Sequence, residues 1–516
     1  MKYPSPYSSH PSLKKPENPS SYQSQHRPQA KIEQLHDKIR QLDATVIELS
    51  RQRTALVREL NAVQPPISIL PTETLSFIFQ LACPPPNPGP YSGHPGIQKG
   101  MTDASHWYHM YSVLGHVSVY WRQTLLSMPQ LWTTASFYIS SGIVESEATF
   151  LCHFLNRSGS LPLTLSFNYD DEVEIDSYTL VHQTIDAQLL ENLPRIIGLH
   201  LTNPTFAWHL SCPAHLTGLT EYTLTENRSG EELSLTHCPN LQSLALNSMD
   251  LPITLPPSCL VTVLYISEVP IGIFLDLLTH CPNLVEVQAI AILRQFFDPV
   301  QLPEEIITLE HLEVLNMQLP DVDEEWQDAF LNYFRLPSLR TLHWTHVFDY
   351  PWGNSTSLGN FFSHLSLNLT SLVLCICRES DWLIPVIRYI HDSTGIEHLT
   401  FEGCEPSFVQ GVLGQLVLHG GADLRFPRLR KITFSHPGIA YGQLITQDTD
   451  RELSFLLLQM LETRMKDSSE PFTLEFQGTS SFDEFPLVQR ALVGLQDRGY
   501  NLGVLADSER PRNSGR

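Results

Sequence analysis

At 516 residues the chain has room for two or three domains, and its apolar content of 42% is that of an ordinary globular protein. Lys and Arg total 32 against 55 Asp and Glu, a net charge of -23, which argues against nucleic acid or an anionic membrane surface as the main partner. No apolar run approaches a membrane span and the first residues lack a hydrophobic signal core, so the expected compartment is intracellular, cytoplasmic and/or nuclear. The nine cysteines, an odd count without a C-x-x-C pair, read as thiols of a reducing compartment.

Residues 1–30 are rich in Pro and Ser and poor in large aliphatics, which predicts a disordered tail. From Lys31 the texture changes. Ile32, Leu35, Ile39, Leu42, Val46, Leu49, Leu56, Leu60 and Val63 recur in alternating steps of three and four, interrupted only by Arg53. That period predicts a coiled-coil helix over 31–63. Two readings stay open for it: pairing with a second copy as a homodimer, or an amphipathic helix folded back on its own protein. Gln64-Pro65-Pro66 ends the helix.

The next stretch, ISILPTETLSFIFQLACP from Ile67, predicts a short helix opened by Leu70-Pro71, with Leu75, Ile78, Phe79 and Ala82 on one apolar face. A helix this short needs a packing partner. LGHVSVYWRQTLLSMPQLW, from Leu114, offers one, with Leu114, Val117, Trp121 and Leu125 on a second helical face. The Pro- and Gly-rich stretch between them reads as an inserted loop over 84–112, a cheap addition because closure entropy grows slowly with length.

Together the two segments resemble an F-box, in the form common among fungal F-box proteins. Leu70, Pro71, Glu73, Leu75, Ile78 and Phe79 match the family's first half. His116, Val117, Trp121 and Arg122, then Ser127, Pro129, Leu131 and Trp132, match the second half, with Ser118 in place of the usual Cys and Thr74 in place of an aliphatic residue. The resemblance implies an F-box over 65–135 that binds a Skp-type adaptor, and through it a cullin and its RING partner. Leu70, Pro71, Glu73, Leu75, Ile78, Phe79, Val117, Trp121, Leu131 and Trp132 are the residues it carries over to that contact, as core, interface or both.

Beyond Trp132, SFYI at 136–139 predicts a strand, Glu145–Leu155 a helix burying Phe150, Leu151, Phe154 and Leu155, and 155–167 a turn into another strand. An internal repeat follows, on the template L-x-x-L-x-L. Its ten copies begin at Ile196, Leu219, Leu241, Val261, Leu284, Leu312, Leu339, Leu369, Ile396 and Leu429, 20 to 33 residues apart. One such unit cannot bury its own apolar face, so units must stack. The spacing resembles leucine-rich repeats, which implies one short strand plus a returning helix or loop per unit over 136–507. Helical returns are predicted at Ile271–Leu278 and Trp326–Phe334. Phe455–Leu461 (helix) and Phe472–Phe476 (strand) add a terminal unit, and 508–516 should fray. The Asn/Cys position after the strand holds Cys only at 377 and 404; Met249, Ile292, Pro320, Val347 and Pro437 occupy it elsewhere, which predicts an irregular solenoid. The fold class is thus α/β: a coiled-coil helix, a short helical F-box and a leucine-rich-repeat-like solenoid.

No phosphate loop, H-E-x-x-H or D-F-G occurs, and no catalytic residue, cofactor or metal is expected. Cys375 and Cys377 read better as repeat-strand residues than as zinc ligands. The acidic clusters Asp170–Asp176 and Asp321–Asp328 read as solvated loops. The expected function is a non-catalytic substrate receptor of a ubiquitin ligase, with a protein substrate held by the outward side chains of the repeat strands. Asn316, Gln318, Thr341, His343, His398, Glu402, Lys431 and Thr433 stand at such positions. The competing reading is a coiled-coil and repeat scaffold whose divergent F-box has no ligase role.

Overall fold

A computed structural model describes residues 26–63, 70–82, 112–139, 144–169, 189–204, 216–225, 232–249, 252–293, 306–318, 331–345, 355–365, 367–375, 395–417, 426–435, 447–465, 471–477 and 486–506. The tail 1–25, the loop 84–111, both acidic clusters, Cys377 and the tail 508–516 lie outside the described residues. The chain divides into two compact units, one within Met1–Ile78 and Val113–Thr124, the other within Phe79–Ser112 and Leu125–Arg516.

In the first unit, α1 runs from His26 to Val63. It begins before Lys31, so 26–30 are helical rather than part of a disordered tail; Pro28 is tolerated because it sits in the first turn, where its missing amide would have no partner. Every described side chain of α1 from Lys31 to Leu60 is exposed, including the whole aliphatic seam. Helix α2 (Thr72–Ala82) starts as expected, with the Leu75 amide donating to the Pro71 carbonyl at 3.0 Å. The second predicted helix is two pieces. A helical stretch over 112–117 breaks at Ser118, and α3 (Val119–Leu126) begins afresh. The cause is local: the Ser118 hydroxyl accepts the Trp121 amide at 3.0 Å and caps α3, which its neighbours' apolar spacing does not reveal. Leu114 and Val117 therefore do not share a helix with Trp121 and Leu125.

The second unit is built on strands β1 (Thr134–Ile139), β2 (Leu163–Tyr169), β3 (Ile196–Thr202), β4 (Glu221–Thr225), β5 (Leu233–Ser234), β6 (Ser243–Asn247), β7 (Ile253–Thr254), β8 (Val263–Ser267) and β9 (Glu286–Ile290). It continues with β10 (Ile307–Thr308), β11 (Val314–Gln318), β12 (Phe334–Arg335), β13 (Thr341–Thr345), β14 (Ser371–Cys375), β15 (His398–Glu402), β16 (Lys431–Ser435), β17 (Phe472–Gln477) and β18 (Leu502–Ala506). Fourteen of these form one sheet in chain order, all parallel, while β5 pairs β7 and β10 pairs β12 in two small ladders. Each of the ten template copies supplies one strand of the large sheet, and its apolar positions line up: Leu199, Tyr222, Leu244, Leu264, Val287, Leu315, Leu342, Leu372, Leu399 and Ile432 share one register. The leading residue of each copy is buried as well, from Ile196 to Leu429.

Parallel neighbours require a crossover. Described helical crossovers are α4 (Val144–Arg157), α5 (Ile271–His280), α6 (Ser355–Ser363), α7 (Pro406–Val417), α8 (Gln447–Met465) and α9 (Pro486–Asp497). Strands β1 and β2, and the helices α4, α5 and α8, fall where the periodicity predicts them. Phe150 is half-buried rather than buried. Phe334, expected at the end of a helix, lies in β12, and most of that predicted helix is outside the described residues. Aromatic stacking follows the register at both ends of the sheet. Phe137 stacks on Phe167 at 5.2 Å, and Phe434 lies between Phe401 at 5.6 Å and Phe476 at 5.2 Å.

A recurring turn closes several strands. Asn203, Ser248, Glu268, Ala291 and Gly403 each follow a strand with φ between 50° and 60°. The amides of Asn203, Ser248, Glu268 and Gly403 then reach the last carbonyl of the next strand at 2.7–3.2 Å, extending the ladder by one bond. Only Gly403 takes this left-handed conformation without a Cβ penalty. Two residues past the strand, the Cys404 thiol donates to the Leu374 carbonyl at 3.0 Å, while Met249 and Ile292 fill the same position with buried apolar side chains.

Candidate functional site

Two surfaces carry the residues singled out from the sequence. The first lies on α2 and the segment 112–124. Leu75 and Phe79 are fully buried, Leu70 and Trp121 are half-buried, and Pro71, Glu73, Ile78 and Val117 are exposed. Tyr120 ties the start of α2 to α3, its hydroxyl 3.3 Å from both the Leu70 carbonyl and the Thr72 hydroxyl. Arg122 donates from Nε to the Gly115 carbonyl at 2.9 Å, joining α3 to the helical stretch before it. Core and surface are thus separated along α2. One side buries Leu75 and Phe79, and the other presents Phe77, Ile78 and Leu81 to solvent. Val113, Val117 and Val119 add exposed aliphatics on the second segment. Phe77 and Leu81 were missed because the apolar template assigns only one face of the helix; an apolar residue off that face was the available signal.

Leu131 and Trp132 are core residues. Both are buried within the sheet-bearing unit, in a 3₁₀ turn (Pro129–Trp132) that leads into β1. The Trp132 indole N–H donates to the Leu125 carbonyl at 3.1 Å, its ring meets Phe154 edge-on at 6.2 Å, and the Arg157 guanidinium sits 4.9 Å above it. They pack at the β1 end of the sheet core.

The second surface is the outward face of the sheet. Asn316 and Gln318 on β11, Thr341 and His343 on β13, His398 and Glu402 on β15, and Lys431 and Thr433 on β16 all point to this one face, since outward positions alternate with the buried template positions. Asn316 is level with His343, and His398 with Lys431. With β14 between β13 and β15, the eight residues span five adjacent strands, about 19 Å at 4.8 Å per strand.

They are not equally available. Thr433 is buried and donates to Glu475 Oε2 at 3.3 Å. Lys431 Nζ lies 2.7 Å from the same oxygen. Both therefore hold the buried Glu475 carboxylate of β17 in place. Glu402 accepts the Cys375 thiol at 3.6 Å, and burial together with Glu402 pushes that thiol's pKa well up. His343 has its pKa lowered by burial, opposed by the charges of Glu402 and Glu286. It is an uncharged donor and acceptor at neutral pH.

Tyr265 and Glu286, on adjacent strands β8 and β9, share this face and were missed. The Tyr265 hydroxyl donates to Glu286 at 3.2 Å, and burial and that carboxylate raise the phenol's pKa. The same alternation that identified Asn316 would have found them had it been followed into the earlier repeats. Among the described residues the charged groups on the face between β8 and β17 are Glu286, Glu402 and Glu475 against Lys431, a polar lining with an acidic excess. Among the described residues no group of three His, Cys, Asp or Glu side chains could hold a metal ion, and no helix is long and apolar enough to cross a membrane. No family model matches the chain, and no curated protein matches it in sequence.

Proposed function

We propose that the chain is an F-box-type substrate receptor, a non-catalytic subunit that links a target protein to a Skp–cullin–F-box ubiquitin ligase. The observation that supports this most is the partition of the F-box-like pattern. Leu75 and Phe79 are core, while Pro71, Glu73, Ile78 and Val117 of the same pattern stand exposed. Exposed aliphatic groups on a short helix pair are what an adaptor would cover. The parallel sheet, one strand per sequence repeat, supports a leucine-rich-repeat-like solenoid, with the outward strand face as the place for a protein substrate. Chemistry at the bond would belong to the ubiquitin-conjugating partner. This chain would raise the effective concentration of the target beside it, in the cytoplasm and/or nucleus.

One observation favours the scaffold reading. Leu131 and Trp132, the end of the F-box-like pattern, are spent in the sheet-bearing unit. Co-purification with a Skp-type adaptor separates the two readings. Native protein should retain the adaptor, and Ile78→Glu with Val117→Glu should lose it without change in the circular dichroism of the sheet, because both sites are exposed. Failure of folded native protein to retain any Skp-type adaptor would leave the scaffold reading in possession.

A further inference from the structure

We propose that α1 pairs with α1 of a second copy as a parallel, in-register, two-stranded coiled coil, so that the protein acts as a dimer. Among the described residues nothing covers the helix: the aliphatic seam from Ile32 to Leu60 is between 52% and 64% exposed at every aliphatic position. A helix folded back on its own chain would bury that seam.

The chemistry along the seam selects the occupant. In heptad terms the first core position, a, holds Ile32, Ile39, Val46, Arg53 and Leu60, and the second, d, holds Leu35, Leu42, Leu49 and Leu56. β-Branched residues at a with Leu at d favour two parallel strands over three or four, because of how each side chain enters the hole facing it. Two seams brought together would bury on the order of 1,000–1,500 Å², the size of a stable interface.

Arg53 sets the register. Aligned in parallel and in register, the two Arg53 side chains fall in a single layer and can extend to solvent from it. A slip by one heptad sets Arg53 against Val46 in one layer and against Leu60 in another. An antiparallel pair sets each Arg53 level with Leu42, again two compromised layers. One polar layer costs less than two. The flanks agree. Arg40 with Asp37 and Arg51 with Glu48 form ion pairs within α1, at positions away from the seam. Lys38 and Asp43 form no ion pair among the described residues, and they occupy the g and following e positions that meet across a parallel dimer.

The test uses the full chain. Light scattering at micromolar concentration should give twice 58.5 kDa. Leu42→Asp with Leu49→Asp should give the monomer mass, with the sheet's circular dichroism unchanged. The stretch 31–63 has no cysteine, so Leu35→Cys should form a disulfide-linked dimer under mild oxidation that the native chain does not form. A monomeric native chain, or a dimer that survives the double Asp substitution, overturns the proposal. So does a dimer in which Leu35→Cys fails to cross-link, since an antiparallel pair holds the two thiols roughly 37 Å apart.

Discussion

Replacing His200 with Asn should remove a specific part of the protein's acid sensitivity. His200 sits on β3, buried, with Nδ1 2.8 Å from the Thr223 hydroxyl and Nε2 buried without a hydrogen-bond partner among the described residues. Its strand neighbours at the same level are Ser166 and Thr223, neither of them charged. The charged ring carries an N–H on both nitrogens, and the one at Nε2 finds no acceptor among the described residues. Burial accordingly lowers the pKa from 6.5 to about 4. The sign follows. The unfolded chain takes up the proton as pH falls through 6.5, the folded chain only near 4, so between these values the unfolded state binds more protons and stability drops with pH. At about 1.4 kcal/mol per pH unit the loss reaches about 3 kcal/mol across that window, and none of it is felt above pH 7. His200→Asn keeps a group that can meet Thr223 and cannot titrate. Urea denaturation midpoints of both proteins, followed by circular dichroism at steps from pH 7 to 4.5, isolate the effect, because the carboxylates contribute equally to both. The native midpoint should fall faster than the variant's below pH 6.5. Parallel curves would refute the reasoning and place an acceptor or water at Nε2.

Phe434→Ala should cost about 3–5 kcal/mol, because the ring is buried and stacked between Phe401 and Phe476, and the neighbouring strands cannot close the hole; thermal unfolding would show it. Lys431→Met should destabilise by about 2 kcal/mol, less than for a fully buried pair since the Lys431 side chain is 33% exposed, by removing the cation that faces the buried Glu475 carboxylate. Adding Glu475→Gln to it should recover most of that loss in the same melting experiment; no recovery would mean that the pair is held for another reason.

The repeat strands were legible because their cause is local. Three buried positions per copy recur with strand periodicity, and stacking them in parallel forces the shared register seen from Leu199 to Ile432. The outward face followed from the same alternation, and Asn316, His343 and His398 stand where it puts them. What the pattern could not show is which outward groups are already engaged. Thr433 and Lys431 answer to Glu475, which lies on the next strand 42 residues from Thr433, and no spacing rule reaches that far. The break at Ser118 was hidden for the opposite reason: one hydroxyl capping α3 outweighs an apolar stripe that runs on unbroken. Trp132 matches the motif, but its contact with Phe154, on another element, is one that no spacing rule displays. Helices α7 and α9 carry Gly414 and Gly494 inside them, which weakened their signal, although neither glycine is near other atoms that would exclude a Cβ.

The most direct test of the adaptor claim is a calorimetric titration of purified chain with a Skp-type adaptor, set beside the same titration of Phe77→Glu and of Lys31→Glu. Phe77 is exposed on α2, next to Ile78, and Lys31 is exposed on α1, so neither change disturbs the core. The account predicts saturable binding by the native chain, retained in Lys31→Glu and weakened at least tenfold, about 1.4 kcal/mol, in Phe77→Glu. Equal affinity for all three, or no heat of binding from a folded native chain, would contradict it.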